Sequence, residues 1–220
     1  MFHVKQSKFS LEDIFSECGW GESHNPTQIK ERLELYLDLI RQWNQAVNLV
    51  GKSTLKNGWQ RHILDSAQLL PFIYSLDQKK TVLDIGSGAG LPGIVLAIMG
   101  DCKVTLVEAN ARKCRFLEEV AVQTDTTIEV IRARAEELEP WTANVIVSRA
   151  LAPLSQLLAY SFPFCTESSQ CLFLKGEGAR QEIEQARNTW NFDVEIFPSK
   201  TSCQGTVLRV QHIQMRRRCS

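Results

Sequence analysis

Three glycines, Gly86, Gly88 and Gly90, fall within five positions, directly after the apolar run of Val82, Leu83 and Ile85. Glycine accepts positive φ and lets a bound molecule approach the main chain with no Cβ in the way. Ile94, Val95, Leu96 and Ile98 then supply the apolar side of a helix. Pro92 suits its first position, where a missing N–H costs nothing. Strand, glycine turn and helix make the opening unit of a doubly wound α/β sheet, whose ligands bind outside the carboxyl ends of the strands. Gly88, Gly90 and Gly93 also satisfy G-x-G-x-x-G, which taken alone suggests a dinucleotide. Asp84 argues against that ligand, because an acid just before the turn would face the two charges of a pyrophosphate. S-adenosylmethionine carries a sulfonium and no phosphate, and so tolerates or uses the acid. Glu108 closes the next apolar run, VTLVEA, 24 positions after Asp84. A carboxylate there can accept hydrogen bonds from both ribose hydroxyls, a role common to nucleoside-cofactor folds. The competing reading of the same residues is a tight turn followed by a solvated strand-end acid.

The elements around this turn divide in two. Up to about residue 80 the pattern is helical, with no strand–helix alternation. Ser10 is expected to cap a helix over Leu11, Ile14 and Phe15 that Gly19 and Gly21 would end. Ile29, Leu33, Leu37, Ile40, Trp43 and Val47 fall three or four apart on one helical face behind Pro26. Asn48 to Asn57 reads as a polar connection. A further helix is expected over Trp59, Ile63, Ala67 and Leu70, stopping near Pro71, with Arg61 and Asp65 four apart as a local pair. Gln78-Lys79-Lys80 links to the sheet.

From Thr81 strands and helices alternate. VTLVE, TIEVIRA, NVIVSRA and CLFLKG read as strands two to five. Helices are expected after Asn110, after Pro153 and near Gln181 to Trp190. Phe192 to Phe197 and Thr206 to Gln211 read as a closing antiparallel hairpin. The expected divisions are a helical extension over 1–78, an α/β core over 79–213 and a basic tail over 214–220.

The chain has 220 residues with 25 Lys and Arg against 25 Asp and Glu, so no global charge favours nucleic acid. Its seven cysteines are scattered with no C-x-x-C pair, which fits neither a disulfide framework nor a zinc site. No apolar run reaches membrane-spanning length, and MFHVKQSKFS lacks a signal-peptide core. A cytoplasmic protein with no membrane partner and no metal is expected. Arg216-Arg217-Arg218 reads as a solvated tail.

With these residues in view, the chain resembles the bacterial 16S rRNA guanine-N7 methyltransferases of the RsmG or GidB family over about residues 28 to 180. The resemblance rests on WNQAVNLV, RHILDS, DIGSGAGLPGIVLAI, RARAEE, SRALAPL and LKGE, in the family's order and spacing. Val50 departs from the family's usual Thr. The resemblance implies a Rossmann-like class I S-adenosylmethionine-dependent methyltransferase fold. It implies a mostly parallel seven-stranded sheet with a C-terminal antiparallel hairpin, preceded by the helical region. It also implies S-adenosylmethionine as donor and N7 of one 16S rRNA guanine, guanine 527 in the family, as acceptor. The partner would be free 16S rRNA, the 30S subunit or an assembly intermediate, met by a monomer. Carried across by motif, Gly86 and Leu91 would line the cofactor, Ala135 and Glu136 would sit beside the adenine, and Arg149 would reach the cofactor or acceptor site.

Guanine N7 has a free lone pair and no proton to lose, so the chemistry needs no general base and no covalent nucleophile. Alignment of N7 with methyl carbon and sulfur is what the protein supplies, worth up to about 7–11 kcal/mol for well-oriented reactants. No catalytic residue is assigned. Because the methylated purine is cationic, Arg134, Arg149 and Lys175 are expected to hold phosphate, the cofactor carboxylate or O6 rather than stack on the ring. Structural ion pairs at strand ends are the alternative. His62 reads either as a hydrogen bond between the helical region and the sheet or as a substrate-side group. The competing functions are an NAD(P)-dependent reductase, a methyltransferase acting on another RNA, a protein or a small molecule, and a non-catalytic cofactor-binding partner of the ribosome.

Overall fold

The protein is described by a computed structural model covering residues 9–18, 25–75 and 80–216. Gly19, Gly21, Gln78, Lys79, Arg217 and Arg218 lie outside the described residues.

Alternation of buried positions along each strand builds the two-sided core. Val82 of β1 (Thr81–Ile85) and Leu172 and Leu174 of β5 (Gln170–Lys175) join one apolar cluster. Leu83, Ile85, Cys171 and Phe173 join the other, on the opposite face. β2 (Lys103–Val107), β3 (Ile128–Ile131) and β4 (Val145–Arg149) complete the parallel set. β6 (Trp190–Pro198) and β7 (Thr206–Met215) follow, giving a seven-stranded sheet of order β3-β2-β1-β4-β5-β7-β6. β7 pairs antiparallel with both β5 and β6, so it is the strand that runs against the rest. This is the expected parallel sheet with an antiparallel end. β7 continues to Met215, past the boundary placed after residue 213, and Arg216 is held by its N–H to Thr189 O.

The helical region joins the first core cluster, together with residues of the crossover helices and the sheet. α1 (Leu11–Cys18) starts at Ser10, whose Oγ accepts from the Asp13 N–H while Asp13 Oδ2 accepts from the Ser10 N–H. That reciprocal capping satisfies donors the first turn would otherwise leave free. α2 (Pro26–Trp43) buries Ile29, Leu33, Leu37 and Ile40 on one stripe. Lys52–Asn57 forms a short 3-10 helix within the expected polar connection.

The next segment departs from the single helix expected. Trp59–Leu64 is a π-helical turn, α3 spans Asp65–Ala67, and α4 spans Leu70–Tyr74. Gln68 Nε2 takes the Asp65 carbonyl at 2.9 Å, an acceptor that a continuing helix would use. Pro71 sits in the first turn of α4, where proline is tolerated, and so opens a helix rather than stopping one.

α5 (Gly93–Met99), α6 (Ala111–Gln123), α7 (Leu154–Ser161) and α8 (Ala179–Ala186) are the crossovers. Pro92 stands one residue ahead of α5, at its cap. α8 ends before the expected Trp190, which starts β6, is buried, and donates its Nε1–H to Ser155 O. Among the described residues no helix is long and apolar enough to cross a membrane.

Candidate functional site

Strand order reverses between β1 and β4, so loops leaving their carboxyl ends diverge and leave a crevice there. A cavity of about 730 Å³ occupies that position. Its wall includes Gly86 and Gly88 after β1, Glu108 after β2, Arg149 at the end of β4 with Leu151 beyond it, and Lys175 at the end of β5. The helical region adds Thr54, Arg61, His62 and Asp65, and the loop between β6 and β7 adds Ser199, Ser202 and Gly205.

The glycine turn is built from below. Gly86, Gly88 and Gly90 have φ of +71°, +58° and +85°. A Cβ on Gly86 would lie 2.5 Å from Leu151 Cδ1, whereas one on Gly88 would meet nothing nearer than Gly86 O at 3.8 Å. Gly93 lets α5 lie against the sheet, since a Cβ there would come within 2.3 Å of Leu106 Cδ2. Asp84 is fully buried beneath the turn and accepts from the Gly93 N–H at 2.8 Å. Its Oδ1 has no hydrogen-bond partner among the described residues, and burial pushes its carboxyl up to about 7, against the Gly93 N–H and the Arg149 charge. Asp84 is absent from the cavity wall, so it shapes the turn from behind. Tyr36 of α2 donates its hydroxyl to Ala89 O at 2.6 Å, fixing the turn to the helical region.

Glu108 is the buried carboxylate at the end of β2. Its Oε2 accepts from the Gly88 N–H at 2.9 Å and its Oε1 from the Asn110 N–H at 2.8 Å. The same side chain therefore orders the glycine turn and opens α6, and each oxygen keeps a second lone pair for a ligand hydroxyl.

Arg149 and His62 form one network. Thr54 Oγ1 spends its proton on Gly51 O at 2.7 Å, so it accepts from His62 Nε2 at 2.9 Å. His62 Nδ1 is then the bare nitrogen that accepts from Arg149 Nη2 at 3.3 Å. The ring is neutral: burial first, then Arg149 and Arg61, push it down to about 4. Arg149 Nη1 reaches Arg61 O at 3.0 Å and Asp65 Oδ2 at 3.4 Å. The Arg149 Nε–H and the second Nη2–H have no partner among the described residues, and they share one edge of the guanidinium. Two parallel N–H groups on one edge match the two oxygens of a carboxylate. The expected Arg61–Asp65 pair does not form, because Asp65 is engaged by Arg149, Gln68 and Thr201.

Gly86, Leu91, Glu108, Arg149, His62 and Lys175 therefore meet at one cavity. Lys175 is committed, with its Nζ 2.6 Å from Glu182 Oε2 and 2.8 Å from Ala152 O. It ties α8 to the loop after β4, the structural alternative weighed for it. Arg134, Ala135 and Glu136 do not line the cavity. They follow β3, the edge strand, which β2 and β1 separate from the strand reversal. Sequence reasoning missed Leu151, Thr54, Asp65 and the 199–205 loop. Proximity of RHILDS and SRALAPL to the turn is a tertiary fact with no local signal. Among the described residues no group of three or more His, Cys, Asp or Glu could hold a metal.

The residues fit a sulfonium nucleoside bearing an amino-acid tail. Gly88 gives an open approach to the main chain, Glu108 offers acceptors for hydroxyls, and Arg149 offers a free fork for a carboxylate.

The fold is that of class I S-adenosylmethionine-dependent methyltransferases. The ribosomal protein L11 methylase of Lactobacillus delbrueckii subsp. bulgaricus aligns with a TM-score of 0.54 at 19% identity, over 66% of this chain and 79% of that one. A TehB-like methyltransferase from Corynebacterium glutamicum aligns with a TM-score of 0.54 at 14% identity, over 85% and 99%. Sequence likeness is much nearer. The ribosomal RNA small subunit methyltransferase G of Paramagnetospirillum magneticum is 46% identical over 183 residues, 83% of this chain and 88% of its own. That of Granulibacter bethesdensis is 40% identical over 215 residues, 97% and 99%. Residues 29–212 match the family described as rRNA small subunit methyltransferase G. A strand-reversal cavity floored by a glycine turn and closed by a helical region of matching sequence thus belongs to a known lineage, and this chain is a member of the rRNA small subunit methyltransferase G family.

Proposed function

We propose that the protein transfers a methyl group from S-adenosylmethionine to N7 of a single guanine, the family's guanine 527, in 16S rRNA. The observation that carries the donor half is the convergence of Gly88, Glu108 and Arg149 on one cavity at the strand reversal. The bound donor supplies an activated, electrophilic methyl carbon. Glu108 accepts from the ribose hydroxyls, and the free edge of Arg149 holds the donor's carboxylate. No side chain needs to take a proton, since N7 attacks with a free lone pair. His62, neutral and with both nitrogens engaged, orients Arg149 rather than acting as a base.

The acceptor half is supported by the cavity's rim. Arg61 and Lys113 line it, Lys52 and Lys56 belong to the 3-10 helix that carries Thr54, and Arg112 precedes Lys113. None of these five cations makes a salt bridge with a described residue. The exposed carboxylate among the lining residues is Glu177. Unpaired cations around a site favour a polyanion and make binding fall steeply with salt. Overall neutrality conceals this local excess.

The test is to map 7-methylguanosine in small-subunit rRNA with and without the protein, and to assay naked rRNA, 30S particles and assembly intermediates as acceptors. Loss of one 7-methylguanosine, restored by purified protein and the donor, supports the reading. An unchanged modification map, or saturation by NAD(P) instead of S-adenosylhomocysteine, ends it.

A further inference from the structure

Asp65 touches two walls of the cavity, the end of β4 and the loop between β6 and β7. Its Oδ2 faces Arg149 Nη1 at 3.4 Å. Its Oδ1 accepts from Thr201 Oγ1 at 2.6 Å and from Gln68 Nε2 at 3.0 Å. Gln68 Oε1 in turn accepts the Lys200 N–H at 2.9 Å. Arg149 closes β4, while Lys200 and Thr201 lie in the loop between β6 and β7. A long arginine side chain loses considerable rotamer freedom when fixed. Fixing it before the ligand arrives removes that cost from binding.

Arg149 can present only one edge to a ligand at a time. The Nη1 corner is held by Arg61 O and Asp65, and one Nη2–H is held by His62. Arg61 O and His62 Nδ1 are neutral acceptors, so Asp65, although its contact is the longest at 3.4 Å, is the charged member of the set. With the Nη1 corner held, the Nε–Nη2 edge is left for the cavity.

We propose that Asp65 is a positioning residue for the donor's amino-acid tail: it holds the Nη1 corner of Arg149 so that the opposite edge meets the carboxylate. The inference rests on the donor reading given above. Asp65→Asn is a selective probe. Its retained oxygen still accepts from Thr201, while its new N–H₂ faces Arg149 Nη1, donor against donor.

The test is a double-mutant cycle on the full-length chain by titration calorimetry, with thermal unfolding recorded for each variant. The ligands are S-adenosylhomocysteine, which has the carboxylate, and 5′-methylthioadenosine, which lacks it. Asp65→Asn should weaken S-adenosylhomocysteine about 10-fold, in the range of one charged hydrogen bond, and leave 5′-methylthioadenosine within about twofold. Combined with Arg149→Met, it should cost nothing beyond Arg149→Met alone, since coupled residues are not additive. Equal loss of both ligands, wild-type affinity, or additivity with Arg149→Met would overturn the assignment. Should Asp65→Asn fail to fold, Asp65→Glu enters the same cycle, with a smaller loss confined to S-adenosylhomocysteine. Wild-type protein that binds neither nucleoside would defeat the donor reading and this inference with it. Wild-type binding without the Asp65 effect would defeat the inference alone.

Discussion

Glu108 Oε2 and the Gly88 N–H are hydrogen-bonded across 2.9 Å, so the acid at the end of β2 holds the glycine turn at the end of β1. The carboxylate expected to meet a ribose is thus also a brace for the loop beneath it. Glu108→Gln keeps one acceptor and points an amide N–H₂ at either Gly88 or Asn110. S-adenosylhomocysteine affinity should fall about 10-fold or more, since a hydrogen bond to a charged acceptor contributes roughly 1.5–3 kcal/mol. Calorimetric titration checks this, and an unchanged dissociation constant would remove Glu108 from the site.

Gly86 and Gly88 should respond differently to substitution. Gly86→Val places a β-branched residue at φ +71° and drives its Cβ into Leu151. Strain of about 1–3 kcal/mol adds to overpacking of about 1–3 kcal/mol, so thermal unfolding should shift sharply downward. Gly88→Ala meets open space, and its cost should be near 1 kcal/mol from the positive φ alone. The added methyl at Gly88 should instead be read out as weaker nucleoside binding with a nearly normal melting temperature.

Asp84 sets a pH dependence of stability. Its folded carboxyl lies near 7, above the ordinary 3.8. The folded state therefore holds a proton that the unfolded chain has lost between those values. That contribution is fully present below about pH 3.8 and is lost as pH rises through about 7. Asp84→Asn keeps an acceptor for the Gly93 N–H and removes the titration. Relative to the wild type, its Tm should rise progressively between pH 5 and about pH 7.5, by the equivalent of a few kcal/mol. Parallel Tm curves across that range would contradict the assignment.

His62 runs with the opposite sign. A ring held down to about 4 contributes stability that is present above 6.5 and lost as pH falls toward 4. Its Hε1 resonance should not move between pH 8 and about pH 5.5, where a free imidazole would titrate fully. Methyl-transfer rates should show no inflection from His62 over that range. A shift with a midpoint near 6.5 would refute the Nδ1-acceptor arrangement with Arg149.

Lys175 and Glu182 test the structural alternative. Removing the lysine leaves Glu182, which is partly exposed and still accepts from the Leu154 N–H at 2.7 Å, without its cation, at a cost of about 1–3 kcal/mol. Lys175→Met should lower Tm, and adding Glu182→Gln, which removes the charge but keeps an acceptor for the Leu154 N–H, should recover part of that loss. Recovery of stability together with methylation would confine Lys175 to holding α8 against the loop after β4. Recovery of stability without methylation would return it to the acceptor side.

How far the sequence could be read follows from how local each feature is. The glycine turn, Pro92 and the strand-end Glu108 declare themselves within a few positions, because φ preference and apolar alternation are short-range. α2 was legible from its stripe over five turns. The break at Gln68 was not, since a π-helical turn followed by short α-helices keeps the same apolar face as one long helix. Asp65 and Thr201 stand 136 positions apart, and no pattern announces their hydrogen bond. Arg149 was expected at the site, and a His62 hydrogen bond from the helical region to the sheet was one of two readings, but Arg61 O and Asp65 as partners of Arg149 were not foreseen. Arg134, Ala135 and Glu136 were placed by motif alone; they follow β3 outside the cavity wall, and neither their place nor their surroundings there assigns them a role.

The hydroxyl of Tyr36 reaching Ala89 O has a consequence for anyone who would trim this protein. A shortened chain starting at Thr81 would still encode every crossover. Yet it would lose the post on which its glycine turn is propped, and would bare an oily flank to solvent. The first third of the chain is thus masonry for the catalytic end, and it cannot be cut away or exchanged without rebuilding that end.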